Sequence, residues 1–592
     1  MNRLILCYLF IFAAVGFVAC GDENGAAPVS GESGVVKESS SSWIAANSSS
    51  SRNDNVAGSS EMLSSCSSSW NETTSSNSLW IAANSSSSRN DNAFSSSRGA
   101  KTSSSSSWSS SSSERSVGEQ TGSSASASST TKITYSLKPF DGPLSNPHKG
   151  FTVPTGGAWV FVPEFEYGPY GSLNNKAWDL ISYGSGYQQW NKLNPAKGVY
   201  DWTELEKLLN ALAEHNMGYA LRVLPYTPSF IKSDFPPQEE YDWTPPFVYE
   251  MGAKKIQIDL RGTEYHAYAP VWDDSVYIWA AKEFAKALAE KYDGDPRIEY
   301  IDIRTFGEWG EWHTSHILGS EMPAYSVLID MLDYYASLFK KTQLVLPSNG
   351  FGDVYTHALE LGITKRDDGF IGTPGRPDSL RRAYEANLPT IAENMAGYKT
   401  MLEYTDVIPG GYLKWTPQRW VDAITTAHLT YYVLDQDSDC GYNFYKENKT
   451  LADSMSKVIG YNFTVANAEL TTITDSKNTT STLGITVKNT GVAPCFFDVY
   501  LVAEFVDSTG KALAQIGETV RIPKGTFKDG SLQKFSFKYK VATGEASVAK
   551  LPGVTVALSL YESEDDFKNG KNPTVRFDND GIHENKKLLL KR

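Results

Sequence analysis

Two glutamates, Glu308 and Glu311, stand three residues apart in IRTFGEWGEWHTSH, residues 303–316, at the end of an apolar run and among tryptophans. A third, Glu393, lies far along the chain in PTIAEN, residues 389–394. Paired carboxylates suit cleavage of a glycosidic bond, which needs a protonated acid at the leaving oxygen and a carboxylate beneath the developing oxocarbenium ion. Carboxyls about 5–5.5 Å apart form a covalent intermediate and retain configuration; at about 6.5–9.5 Å water fits between them and configuration inverts. Partial burial and a neighbouring carboxylate would keep the acid protonated near neutrality. Glu308 and Glu311 are the candidates for that acid and Glu393 for the nucleophile or base, with retention the expected outcome. The bland alternative is a glutamate bonded to backbone or paired with an interior arginine, for which Arg222 and Arg304 are candidates. Each of these arginines interrupts an apolar strand and would be costly to bury unpaired.

A scaffold must bring positions 311 and 393 together. Between 133 and 460 short apolar runs alternate with helix-like segments. Candidate strands are GFTVP (150–154), GYQQW (186–190), YALRVLP (219–225), EYIDIRTF (299–306), QLVLPSN (343–349), GFIGT (369–373), PTIAEN (389–394) and YYVLDQ (431–436). Helical patterns fill 202–216, 275–292 and 324–341, with Gly218 read as the C-cap of the first. Eight strands alternating with helices predict an α/β fold, a (β/α)8 TIM barrel, whose active site forms in the loops after the strands. The glutamate pair then follows strand four and Glu393 ends strand seven, facing each other across the mouth. Within strand four, Asp302 and Arg304 share one face and Ile301 and Ile303 the other. The apolar face should meet the helices, leaving the charged face inside.

Three motifs, NPHKGF (146–151), YQQWNKLNPAKGVYDW (187–202) and GEWGEW (307–312), resemble the clan of barrel glycoside hydrolases with catalytic carboxylates on strands four and seven. More closely, the chain resembles a family of exported bacterial proteins that join such a barrel to a β-sandwich and carry a WGEW motif. The closing segment NPTVRFDNDGIHENKKLLL (572–590) matches that family too, so the similarity runs from about 146 to 590. It implies a glycoside hydrolase acting on a poly- or oligosaccharide, or a carbohydrate-binding protein that kept the barrel without its chemistry. The family keeps the glutamate inside WGEW, which is Glu311, whereas the clan's strand-four pattern points to Glu308. Where the clan has Asn before its acid, both candidates follow Gly.

Other residues near expected strand ends are candidates for sugar contact: Trp190, Trp309, Trp312 and Trp415 as flat faces, and Tyr226, His313, Asn349, Tyr412 and Asp435 as hydrogen-bonding groups, with Arg222 and Arg304 beside them. A Trp is more often partly buried packing than a ligand platform. The histidines of HTSH have no evident third metal ligand, and no nucleophile elbow or Walker A loop is present, so neither metal nor cofactor is expected. The insertion from about 227 to 272 should wall the cleft.

Composition bounds the rest. The chain has 592 residues and a formal net charge of −14, without an internal Lys/Arg cluster, so nucleic acid is not an expected partner. Residues 1–20 read as a lipoprotein signal: Arg3, an apolar run, then FVACG with Cys20 as the lipidated residue and Phe17 where Leu is usual. The expected site is a bacterial cell surface, with the membrane met through that lipid alone. Residues 21–132 are dominated by serine and repeat WIAANSSSSRNDN at 43–55 and 80–92, as a disordered linker would. Residues 461–592 alternate in strand-like runs, predicting an immunoglobulin-like β-sandwich as accessory domain. Cys440 and Cys495 are the pair open to a disulfide in an exported protein. Oligomeric state is not written in the sequence.

Overall fold

The computed structural model describes residues 128–152, 180–227, 242–260, 266–315, 317–405, 412–434, 438–542, 545, 547–582 and 585–591. The leader with Cys20, the serine-rich segment to residue 127, Asp435 and the insertion segments 228–241 and 261–265 lie outside these residues.

Eight parallel strands follow one another in sequence order: Gly150–Thr152, Tyr183–Gln189, Gly218–Leu224, Ile298–Asp302, Gln343–Leu346, Thr364–Asp367, Ile391–Glu393 and Tyr431–Val433. A parallel bridge between Phe151 and Ile181 brings the first strand to the second, so the barrel is nearly closed. The expected strands overlap these except the sixth. GFIGT is a turn, and the strand is the preceding TKRD, Thr364–Asp367. All four residues of that strand are buried, with Lys365 Nζ 3.7 Å from Asp367 and Arg376 3.1 Å from Asp367. A strand whose charges are neutralised by neighbours has no apolar alternation to betray it.

The helices follow their patterns. Thr203–Glu214 buries Leu205, Leu208, Leu209 and Leu212, one face at helical spacing. Ser275–Tyr292 starts at Asp274, whose side chain accepts from the backbone N–H of Val276 and Tyr277. Gly218 is not a C-cap: the first helix ends at His215, Asn216 takes the left-handed turn at φ 58°, and Gly218 opens strand three. A Cβ at Gly218 would lie 2.5 Å from Glu299 Oε1, so close strand packing explains the glycine.

Tyr183, Ala220, Tyr300, Val345, Ile391 and Tyr431 form a buried cluster inside the barrel, with the Tyr183 and Tyr431 rings 5.1 Å apart. Ile301 and Ile303 belong to the larger core shared with the helices. One step further along the strands, the inward positions are polar, including Arg222, Asp302, Arg366 and Glu393. The barrel is thus plugged by aromatic rings below and charged above.

Two antiparallel sheets follow. One orders Ser129–Thr134, Phe463–Thr474, Asn478–Asn489 and Leu532–Ala542; the other is built on Val499–Val506 and Thr555–Tyr561. Buried residues of both, among them Phe463, Ile485, Leu501, Phe505 and Leu558, share one core. Cys495 lies in it as a free thiol. These sheets meet the barrel at the strands' N-terminal end: Lys149 Nζ donates to Tyr461 O at 2.8 Å, and His148 bridges Glu299 at 2.7 Å and Glu562 at 3.0 Å. The opposite end remains for the site.

Candidate active site

Strand ends four, six and seven deliver three charged groups to one point. Arg366, fully buried on strand six, reaches Glu311 Oε1 with Nη2 at 3.1 Å and Asp302 Oδ2 with Nε at 3.1 Å. Its Nη1 donates to Glu393 Oε2. Terminal nitrogens of one guanidinium are about 2.3 Å apart, so the two carboxylates they hold lie within about 8 Å of each other. That upper bound lies below the largest separation glycosidases use.

Two further arginines complete the network. Arg222 Nη1 lies 3.3 Å from Glu393 Oε2, and its Nη2 donates to Ser185. Arg304 donates to Asp302 Oδ2 at 3.0 Å, to Trp309 O at 2.8 Å and to Glu311 Oε1 at 2.9 Å. The Tyr187 ring lies under both, 5.1 Å from the Arg222 guanidinium and 6.0 Å from that of Arg304. Asp368, on the loop after strand six, accepts from Ser348 Oγ at 2.8 Å and stands 4.0 Å from Arg366 Nη2. Its side chain is 24% exposed against 12% for Glu311 and 8% for Glu393. The acids therefore grade from a wet rim to a dry floor.

Burial pushes the Glu311 carboxyl up, the Asp368 charge adds to that, and Arg304 opposes it. Burial likewise raises Glu393, against the pull of Arg222 and Arg304. Burial thus biases both carboxyls toward their protonated forms, the state a general acid needs and a nucleophile does not.

The two glutamates of GEWGEW occupy different places. Glu308 has no exposed surface and faces His313 Nδ1 at 3.5 Å; Glu311 lies at the mouth and faces His313 Nε2 at 3.5 Å. Trp309 is half-buried at the rim with its ring 6.0 Å from His313. Asn349 is half-buried beside Ser348, to which it donates at 3.3 Å. Tyr412, also half-buried, packs its ring 5.4 Å from Tyr404.

The other aromatic candidates are core residues. Trp190 packs edge-on to Tyr277, Trp415 to Tyr398, and Tyr226 to Trp272; none is more than 3% exposed. Trp312 is 4% exposed and spends its indole N–H on Ile303 O at 2.8 Å. The layer between strands and helices absorbs these large rings, which bury more area there than a rim offers. Arg366, Asp368, Tyr187 and Ser348 are the residues sequence reading missed. The run KRDD at 365–368 holds two of them, on a strand without an apolar pattern. Among the described residues no cluster of His, Cys, Asp and Glu could hold a metal, and no helix is long and apolar enough to cross a membrane.

No protein-family model and no curated protein matches the chain. Solved structures similar to it include the catalytic domain of β-amylase from Paenibacillus polymyxa, 12% identical with a TM-score of 0.33, covering 52% of this chain and 98% of that one. GH5_18 from Streptomyces cattleya in complex with GlcNAc is 11% identical with a TM-score of 0.28, covering 49% and 70%. Xylanase 10B from Thermotoga petrophila in complex with xylobiose is 10% identical with a TM-score of 0.29, covering 48% and 81%.

Proposed function

We propose that the barrel is a glycoside hydrolase acting on a poly- or oligosaccharide, with Glu311 as acid and base and Glu393 as nucleophile. The observation that carries this reading is the pair of carboxylates from strand ends four and seven held by one guanidinium, Arg366, at the barrel mouth. Protonated Glu311 gives its proton to the glycosidic oxygen as the bond to the anomeric carbon breaks. The Glu393 carboxylate attacks that carbon, forming a glycosyl ester. Glu311, now ionised, takes a proton from water as its oxygen displaces Glu393, so one water is consumed per bond. The Arg222 and Arg366 contacts both fall on Oε2 of Glu393, holding the charge in place at one oxygen and leaving the Oε1 side for attack. Trp309 is the rim residue whose flat face suits a pyranose ring. A lipid on Cys20 and the serine-rich segment would keep this activity at a cell surface.

The test is release of reducing ends from a panel of plant and bacterial polysaccharides. Wild type should turn over at least one, and Glu311→Gln and Glu393→Gln should each lose about 10²–10⁴-fold in kcat while still binding it. A carbohydrate-binding protein without turnover is favoured by one fact, the depth of Glu393, whose side chain is 8% exposed and held by two arginines. Wild-type binding with no turnover on the whole panel would establish that second reading.

A further inference from the structure

The outer face of the four-stranded C-terminal sheet is open. Along Ser129–Thr134, Phe463–Thr474, Asn478–Asn489 and Leu532–Ala542, every second side chain points away from the core that the two sheets share. Pairing sets these outward residues in rows across the sheet. One row runs Lys132, Thr471, Thr482, Lys538, and on either side of it lie Thr134, Glu469, Gly484, Ser536 and Thr130, Ile473, Thr480, Lys540. None of these residues is buried, and a Cβ built on Gly484 meets nothing within 4 Å. A strand-interior glycine with open space above it suits the close approach of another chain.

Five lysines, Lys132, Lys488, Lys534, Lys538 and Lys540, stand on this face with a single carboxylate, Glu469, which Lys132 pairs at 2.7 Å. Among the described residues the other four lysines form no ion pair, and the Asp475 carboxylate at the hairpin end lies within reach of the charge of Lys540. The whole chain carries −14, so the face is a cationic island on an acidic molecule. Outward residues recur about every 6.8 Å along a strand, and neighbouring strands are about 4.8 Å apart. Lys534, Lys538 and Lys540 therefore line one long side. A floor of hydroxyls, Thr471, Thr480, Thr482, Thr486 and Ser536, lies between them and Lys132.

We propose that this face binds an anionic polysaccharide bearing carboxylates, laid along Leu532–Ala542, independently of the chemistry at the barrel mouth. The ammonium groups neutralise the carboxylates, and the hydroxyl floor gives and accepts hydrogen bonds with the sugar hydroxyls. Uronates leave those hydroxyls free whereas sulfate esters consume them, which selects the carboxylated polymer. A membrane surface fits less well. The exposed apolar residues of the face, Leu532 and Ile473, stand at opposite ends, on the order of 25 Å apart along the strands, and make no patch for insertion. A nucleic acid calls for arginine forks at phosphate or aromatic faces for bases, and the outward rows hold neither.

Retention of the full chain on immobilised polygalacturonate tests this, beside dextran, vesicles of phosphatidylcholine and phosphatidylglycerol, and duplex DNA. The wild type should bind polygalacturonate and not dextran, and more weakly as salt rises past about 0.1 M, where screening sets in within about 10 Å. Lys534→Gln, Lys538→Gln and Lys540→Gln together should weaken binding at least about tenfold. Gly484→Glu, which sets a carboxylate on the floor without a clash, should weaken it as well. An equal change of charge on exposed residues of the barrel, Lys207→Gln, Lys286→Gln and Lys340→Gln together, should leave it unchanged. An equal loss in the barrel triple, tighter binding to vesicles or DNA than to polygalacturonate, or no wild-type binding to polygalacturonate overturns the proposal. Lysine-dependent binding by a chain that turns over no polysaccharide upholds it and retires the hydrolase reading.

Discussion

His148 at the closed end of the barrel and His313 at its mouth each sit between two carboxylates, yet they are held differently. At the closed end the contacts are short, 2.7 Å to Glu299 and 3.0 Å to Glu562, and Glu299 also accepts from Tyr431 OH at 2.9 Å. At the mouth both contacts are 3.5 Å. The closed-end imidazole joins two bodies of secondary structure, strand four and the C-terminal sheets. The mouth imidazole joins two residues of a single loop. The same three groups therefore tie strand four to the C-terminal sheets at the closed end and stand together on one loop at the mouth.

The largest effect expected from disturbing this contrast is at the mouth. Arg366→Met removes the cation shared by Asp302, Glu311 and Glu393, and stranding buried carboxyls costs about 3–5 kcal/mol. Urea unfolding should register that loss, and a change below about 1 kcal/mol would mean the guanidinium does not hold the mouth together. At the closed end, His148→Asn should cost about 3 kcal/mol by stranding Glu299. Asn tolerates the φ of 56° found there, so the loss reports the charge bridge rather than the backbone. Turnover per folded molecule should be unaffected by that change; a fall in kcat would join the two ends functionally.

The pH dependence of stability sharpens the comparison further. Burial works against the charged His148, but Glu299 and Glu562 outweigh it and raise its pKa well above the usual value. Its contribution is present below about pH 6.5 and is lost as pH rises through the folded-state value. Glu562 is opposed by burial but held low by the His148 bond and charge, so its contribution is present above about pH 4.3 and lost as pH falls below that. The bridge is therefore strongest from about pH 4.3 to 6.5, and in His148→Asn stability should drop across that window while the declines above and below it flatten. Smallest of all, Trp312→Phe keeps a smaller aromatic ring but loses the bond to Ile303 O, a loss of about 1 kcal/mol in the same unfolding assay.

How far the sequence reveals this depends on which face carries the signal. Strand four is legible because Ile301 and Ile303 alternate with Asp302 and Arg304, a period-2 pattern that survives charged residues on one side. Strand six is illegible for the converse reason: Lys365 and Asp367 point outward into ion pairs while Arg366 points inward into another, so neither face is apolar. Missing it hid Arg366 and Asp368, and with them the link between Glu311 and Glu393. Four aromatic candidates, Trp190, Tyr226, Trp312 and Trp415, were misplaced because residue type tells apolar mass but not layer. The choice between Glu308 and Glu311 was open in sequence; three-dimensional closure of the loop assigns them opposite sides of one ring.

The strand Ser129–Thr134 has a mechanical consequence. It pairs antiparallel with Glu469–Thr474 at the outer edge of a C-terminal sheet, from Ser129 opposite Thr474 to Thr134 opposite Glu469. Tension entering through residue 128 is therefore carried first by this hydrogen-bonded seam, and from there the chain runs on to the barrel's closed end. A tug on the chain would peel the seam before it could distort the charged mouth.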